Sequence, residues 1–222
     1  MTKAERAERL KERLQELQLY ERELRTKGFR YIAGVDEVGR GPLAGPVVAA
    51  AVVLPEDFDV LGVDDSKKLT EKKREALYDE IVEKALCWGI GRRDNFVIDE
   101  VNILQATKLA MAEAIENAGQ MLFDRTGEEI DFVLFDAMEI QAVRKPQMSL
   151  IKGDSKSVSI AAASIVAKVT RDREMIQLDQ VYPGYGFASN KGYGTKAHYQ
   201  GLRENGITSV HRRSFLKNFD VR

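Results

Sequence analysis

Gly34-Val35-Asp36-Glu37-Val38-Gly39-Arg40-Gly41-Pro42-Leu43-Ala44-Gly45 joins two apolar runs, residues 31–36 and 46–54. Both runs read as β-strands, the second rich in valine and stopped by Pro55, with a tight glycine-proline turn between them. Two adjacent carboxylates at a strand end are costly beside apolar residues unless a positive side chain or a cation compensates them. The stretch therefore marks a sheet and, at its edge, a site. Neighbours on a regular strand face opposite sides of the sheet. Asp36 and Glu37 are thus expected to share one site only if the backbone leaves strand geometry at Glu37, as Gly39, Gly41 and Pro42 suggest.

Working outward, residues 3–27 place Leu10, Leu14, Leu17, Tyr20 and Leu24 at helical spacing among alternating charges, a narrow apolar stripe suited to a peripheral helix. The polar loop Asp64-Asp65-Ser66-Lys67-Lys68-Leu69 precedes Thr70, a good N-cap for a helix through residue 84. Residues 86–90 read as a strand. Asp99 is expected to cap a helix running to residue 118, because Ile103, Ala106, Ala110, Ala114 and Ala118 recur at helical spacing. Residues 130–135 form a short apolar strand ending at Asp136, and residues 157–178 a long helix whose first turns are apolar all round and hence buried. From Tyr182 onward, glycine, tyrosine and basic residues mix as in loops. Interleaved strands and helices predict an α/β fold with helices flanking the sheet.

At 222 residues with 44% hydrophobic composition, the chain can build one continuous core. The longest apolar stretch, residues 47–54, is too short to span a membrane, and the first residues lack a signal-peptide core. A soluble cytoplasmic protein is expected. A single Cys87 excludes an internal disulfide, and with only His198 and His211 the chain offers no histidine-rich metal site. A metal would be held by oxygen, which points to Mg²⁺ or Mn²⁺. The net charge of −1 is unevenly spread. Residues 1–136 carry 20 Lys and Arg against 28 Asp and Glu, whereas residues 137–222 carry 14 against 7. A basic last third is the footprint of a polyanion partner.

Asp36, Glu37, Asp136 and Asp154 stand at strand ends or before a helix, where ligand sites of α/β sheets gather. Clustered carboxylates raise one another's pKa, and a pair of divalent cations about 4 Å apart is their natural complement and a device for hydrolysing phosphodiesters. Singly, Asp136 also reads as an ordinary strand end and Asp154 as a helix cap. Gly39-Arg40-Gly41 has a rival reading as a dinucleotide loop, but its spacing to Gly45 is G-x-G-x-x-x-G and a valine run follows in place of a helix. His198 and His211 fall in basic loops, where they face phosphate or solvent.

The assembled motifs resemble ribonuclease HII, the bacterial type 2 ribonuclease H. The matching pieces are Gly34 to Pro42, Asp65-Ser66-Lys67-Lys68-Leu69, Phe135-Asp136-Ala137-Met138, Lys152-Gly153-Asp154, the run from Ala161 to Asp172, and Gly192-Tyr193-Gly194-Thr195. They follow the family's order across residues 31–215.

The resemblance implies a ribonuclease H-like fold with a central mixed sheet and a helical C-terminal part. Residues 29–222 would form the catalytic domain with its basic C-terminal helix-loop region, while residues 1–28, outside the family's motifs, are expected from their apolar spacing to form a peripheral N-terminal helix. It further implies a monomeric, metal-dependent endoribonuclease that cleaves the RNA strand of RNA–DNA hybrids and single ribonucleotides embedded in duplex DNA, as in ribonucleotide excision repair. By matching motif, Asp36, Glu37, Asp136 and Asp154 would bind two Mg²⁺ or Mn²⁺ ions. Gly39, Arg40 and Gly41, with Tyr193, would read the 2′-hydroxyl at the RNA–DNA junction. Ser66 and Lys67 would lie near the nucleic-acid backbone or the active centre.

Overall fold

The computed structural model describes residues 2–217. The end of the region read as C-terminal helix and loop, residues 218–222, lies outside them. Five strands form one sheet: β1 (Ile32–Val38), β2 (Val47–Val53), β3 (Cys87–Arg93), β4 (Phe132–Asp136) and β5 (Gln147–Leu150), in the order β3-β2-β1-β4-β5. β2 runs antiparallel to β1 and β3, while β4 is parallel to β1 and β5 is parallel to β4. The sheet is therefore mixed, with the carboxyl ends of β1, β3, β4 and β5 at one pole. The antiparallel β1–β2 hairpin, with no helix after the glycine loop, removes the dinucleotide-loop reading.

Helices cover both faces. Strand alternation sends Ala50 and Val52 toward α5 (Val158–Val181), α3 (Glu71–Lys84) and the first helix α1 (Lys3–Leu17), while Val47, Ala49, Ala51 and Val53 face α4 (Asn95–Thr126). Small residues set the spacing. A methyl group on Gly34 would lie 2.1 Å from the Ser159 carbonyl carbon, so α5 can approach β1 only because that strand position is bare. Ser157, and not Asp154, is the N-cap of α5, its hydroxyl accepting the Ile160 N–H at 3.2 Å.

Four differences from the sequence reading have local causes. The N-terminal stripe divides into α1 and α2 (Leu19–Thr26) at Gln18, whose amide is held by the Phe58 carbonyl at 2.8 Å, and the break carries Glu21 and Leu24 onto the core. The long central helix starts earlier than expected, because Asp94 is its cap, accepting from Val97 at 3.0 Å. Asp99 instead accepts the N–H groups of Arg213 and Ser214 at 2.8 and 2.9 Å, tying in the C-terminal segment. Within α4 the backbone breaks at Asn102 (φ 68°), whose side chain caps the restarted helix by accepting from Leu104 and Gln105. The fourth difference is β5, which the reading omitted.

After α5, two short helices, α6 (Phe187–Asn190) and α7 (Lys196–Asn205), pack around Met175, Tyr185, Phe187 and Leu202 as a separate apolar cluster. They turn much of the expected loop region into an ordered wall beside the glycine loop. No helix among the described residues is long and apolar enough to cross a membrane.

Candidate active site

The pole formed by strand carboxyl ends collects the acidic residues. Asp36 is 5% exposed and its Oδ1 accepts the Glu37 N–H at 2.8 Å. Burial foremost, then the charge of Glu37, pushes its carboxyl well above the usual range, and a hydrogen bond from Ser164 works in the opposite direction. Asp136 ends β4, and its Oδ1 accepts the Gly153 N–H at 2.7 Å, locking the turn that carries Asp154. Asp154 is likewise 5% exposed, with its carboxyl raised by burial first and by Asp136 next. Asp136 thus stands within electrostatic reach of both Asp36 and Asp154.

Glu37 does not behave as expected. The β1–β2 pairing continues through Val38↔Val48, so the strand stays regular and Glu37 leaves the face opposite Asp36. It remains close enough to the edge to feel Asp136. Burial raises its carboxyl, opposed by Arg40, whose Nη1 lies 3.3 Å from Oε1. Among the described residues, no three His, Cys, Asp or Glu side chains converge closely enough to enclose a metal ion.

Lys67 and Ser66 occupy different layers. The Lys67 ammonium lies 3.5 Å from Asp154 Oδ2, and although partial burial works against its charge, Asp154 and Asp36 hold its pKa above the ordinary value. Ser66 is buried, its hydroxyl 2.8 Å from that of Ser164, so it supports Asp36 from behind and presents no surface to a ligand.

The glycine loop is packed hard on one side and open on the other. Gly39 has φ 90°, and a methyl group there would lie 2.2 Å from Arg171 Nε. Arg40 and Gly41 are exposed. A methyl group on Gly41 would touch only the Tyr193 ring, at 3.5 Å, and Tyr193 itself is 46% exposed. Tyr193 and the loop therefore border one open surface next to Glu37 and Arg40.

The structure reassigns the two histidines. His198 and His211, read as loop residues facing phosphate or solvent, are 0% and 1% exposed and contact each other beneath Tyr193. Arg171 and Arg212, both fully buried, are further residues of this region that the sequence does not announce as part of a site. Arg171 had a signal, since it continues the i, i+4 series Ala163, Ala167, Arg171, Met175 along a buried helix face. Arg212 had none, because its partners are backbone carbonyls.

The chain matches the family model described as Ribonuclease HII over residues 33–218. It is 55% identical over 213 residues to the Ribonuclease HII of Listeria monocytogenes, covering 96% of this chain and 78% of that one. Its fold is similar to the crystal structure of ribonuclease H2 from Pyrococcus horikoshii, with 28% identity, a TM-score of 0.66, and coverage of 82% of this chain and 92% of that one. Bst-RNase HIII, solved in complex with Mn²⁺, shares the fold at 22% identity and a TM-score of 0.62, covering 87% of this chain and 71% of that one.

Proposed function

This chain belongs to the ribonuclease HII family of enzymes that hydrolyse RNA in RNA–DNA hybrids, and on that premise we propose how its acidic pole and glycine loop divide the reaction. Asp36, Glu37, Asp136 and Asp154 hold two divalent cations, Mg²⁺ or Mn²⁺. The donor set suits such ions in its chemistry, since all its atoms are carboxylate oxygens and like charges crowd Asp36 and Asp154. Asp36, Asp136 and Asp154 form its core, and Glu37, which leaves the opposite face of β1, is drawn in as the cations bind. Bound there, the cations supply Lewis acidity for in-line attack of water on the phosphodiester. Gly153 N–H fixes Asp136, Glu37 N–H fixes Asp36, and Lys67 holds Asp154, so the ligands start from defined positions.

Arg40 and Gly41, with Tyr193, face the sugar of the ribonucleotide and select a 2′-hydroxyl, the one group that separates RNA from DNA at a single residue, while the buried Gly39 gives the loop its turn. Cleavage falls on the 5′ side of that ribonucleotide, leaving 3′-hydroxyl and 5′-phosphate ends, in long hybrids and at single ribonucleotides in duplex DNA alike. The enzyme acts as a cytoplasmic monomer in ribonucleotide removal. The strongest support is the juxtaposition of the buried Asp36 and Asp154 with the exposed Arg40 and Gly41, which follow Asp36 just beyond the end of the same strand.

The test is one cleavage panel, comparing a duplex with a single ribonucleotide, a long RNA–DNA hybrid and all-DNA duplex, each with Mg²⁺, Mn²⁺ or EDTA. Cleavage of the first two with either metal, and of nothing in EDTA, is expected. Equal cutting of all-DNA, or cutting in EDTA, would reject the reading.

A further inference from the structure

Two buried guanidinium groups lie behind the glycine loop, and neither is in an ion pair among the described residues. Arg212 donates from Nη2 to the Gly39 carbonyl at 2.6 Å, from Nη1 to the Arg40 carbonyl at 3.0 Å and from Nε to the Gly45 carbonyl at 3.0 Å. Arg171 braces the next turn, donating to the carbonyls of Pro46 at 2.9 Å, Ala44 at 3.3 Å and Lys191 at 2.9 Å. Burial first, then the charge of Arg171, lowers the Arg212 pKa to about 9, which still leaves it protonated at neutral pH. Keeping two such charges out of water is costly, and six carbonyl acceptors offset part of that cost.

Peptide geometry gives the arrangement its meaning. No peptide bond among the described residues is cis, and across a trans peptide the carbonyl of one residue and the N–H of the next point in opposite directions. With the carbonyls of Gly39 and Arg40 turned inward onto Arg212, the N–H groups of Arg40 and Gly41 point outward. Both residues are exposed, and neither N–H donates to a protein acceptor among the described residues. A cation on each carbonyl also polarises the peptide and strengthens the donor at its other end.

We propose that Arg212 is a positioning residue for ribose recognition: by gripping the Gly39 and Arg40 carbonyls it presents the Arg40 and Gly41 N–H groups, beside Tyr193, to the oxygen of a 2′-hydroxyl. This rests on the reading of the loop as the ribose reader. Arg212 itself, fully buried, touches no substrate. Its contribution is to the direction in which two successive peptide dipoles face. A lysine there would keep the charge but not the fork that spans three carbonyls.

The experiment measures two affinities by fluorescence anisotropy in Mg²⁺, in an Asp136→Asn background that prevents cleavage. One duplex carries a single ribonucleotide and the other has the matching deoxynucleotide. The background protein is expected to favour the ribonucleotide at least tenfold. Adding Arg212→Lys is expected to bring the ratio below threefold while the all-DNA affinity changes less than twofold, since phosphate contacts are untouched. No preference in the background protein would sink the loop reading itself. A full preference retained in a cooperatively melting Arg212→Lys protein would overturn the role of Arg212 and leave the loop reading standing. Should that variant lack a cooperative melt, the amide resonances of Arg40 and Gly41 in the background protein decide. They are expected to move further on titration with the ribonucleotide duplex than with the all-DNA duplex, and equal movement would refute the proposal.

Discussion

His198 Nε2 and His211 Nε2 lie 3.0 Å apart in a pocket closed to solvent by Tyr185 and Phe187. Their neighbours assign the protons. His198 Nδ1 is 2.9 Å from the Tyr193 carbonyl, which can only accept, so this nitrogen carries hydrogen. His198 Nε2 is then the acceptor and His211 Nε2 the donor, while His211 Nδ1 accepts the Thr208 N–H at 3.0 Å. The result is a neutral chain from the Tyr193 backbone to the segment that carries Arg212.

That chain makes stability sensitive to acid. Burial foremost, and the neighbouring His198 next, lowers the His211 pKa from 6.5 to about 4, and burial lowers that of His198 as well. A base held neutral in the folded state contributes fully above pH 6.5 and loses its contribution as pH falls toward 4, a swing on the order of 3 kcal/mol for His211. Urea denaturation between pH 7.5 and 4.5 should show a steeper acid loss for the native protein than for His211→Gln, which is less stable at pH 7.5 but flatter. The carboxyls with raised pKa contribute in the opposite direction in both proteins, so the difference between the two isolates the histidine. Parallel curves would mean that His211 titrates in the folded protein as it does unfolded.

Asp136→Asn separates charge from shape. The asparagine oxygen can still accept the Gly153 N–H, so the turn carrying Asp154 keeps its anchor. Meanwhile the carboxyls of Asp36 and Asp154 lose a repelling neighbour. In EDTA the melting temperature should therefore hold or rise. Cleavage of a single-ribonucleotide duplex should fall by more than the ~10–100-fold that loss of an outer-shell metal partner costs. Activity within tenfold of the native protein would remove Asp136 from the mechanism.

What the chain discloses in advance follows from where its signals lie. Asp36 and Asp136 were visible because a charge closing an apolar run is conspicuous, and β2 and α5 because their apolar runs are long. β5 went unseen because Gln147, Met148 and Ser149 are only partly buried at a sheet edge and alternate nothing. The start of α4 is ambiguous in the sequence because Asp94 and Asp99 are equally good caps, and only the fold sends Asp99 to Arg213 and Ser214. The buried histidines and arginines were hidden for a different reason. They are satisfied largely by backbone carbonyls and by each other, and a carbonyl leaves no mark in a sequence.

Glu21 offers a test of how the N-terminal helices dock. It is 3% exposed, its Oε1 accepting the Ser157 hydroxyl at 2.5 Å and the Ser159 N–H at 3.0 Å, while Oε2 has no hydrogen-bond partner among the described residues. Burial raises its carboxyl above 4.5, against those two bonds. A carboxyl raised by folding stabilises fully below its unfolded pKa and loses that contribution as pH rises through the folded value. Glu21→Gln keeps the acceptor, adds an unpaired donor costing ~1–3 kcal/mol, and never ionises. Relative to the native protein it should be less stable at pH 5 and gain ground as pH rises through the raised value of the native carboxyl. A pH-independent difference in urea midpoints would show that Glu21 ionises alike in both states.

Gly39 and Gly41 are two residues apart and should fail in different ways. At Gly39 (φ 90°) a methyl group meets Arg171 Nε at 2.2 Å and the Pro46 carbonyl at 2.8 Å, a collision between the loop and its buried support. Gly39→Ala should lower stability by ~1–3 kcal/mol from backbone strain alone, before any effect on nucleic acid. At Gly41 the new methyl reaches only the Tyr193 ring, at 3.5 Å, an ordinary contact, so Gly41→Ala should melt like the native protein. It would nonetheless stand between the Gly41 N–H and an approaching ribose. The kcat/KM for a single-ribonucleotide duplex should drop at least tenfold, ~1.4 kcal/mol of transition-state binding, with all-DNA affinity unchanged. A Gly41→Ala protein that folds and cleaves normally would mean that substrate does not approach the loop on its open side.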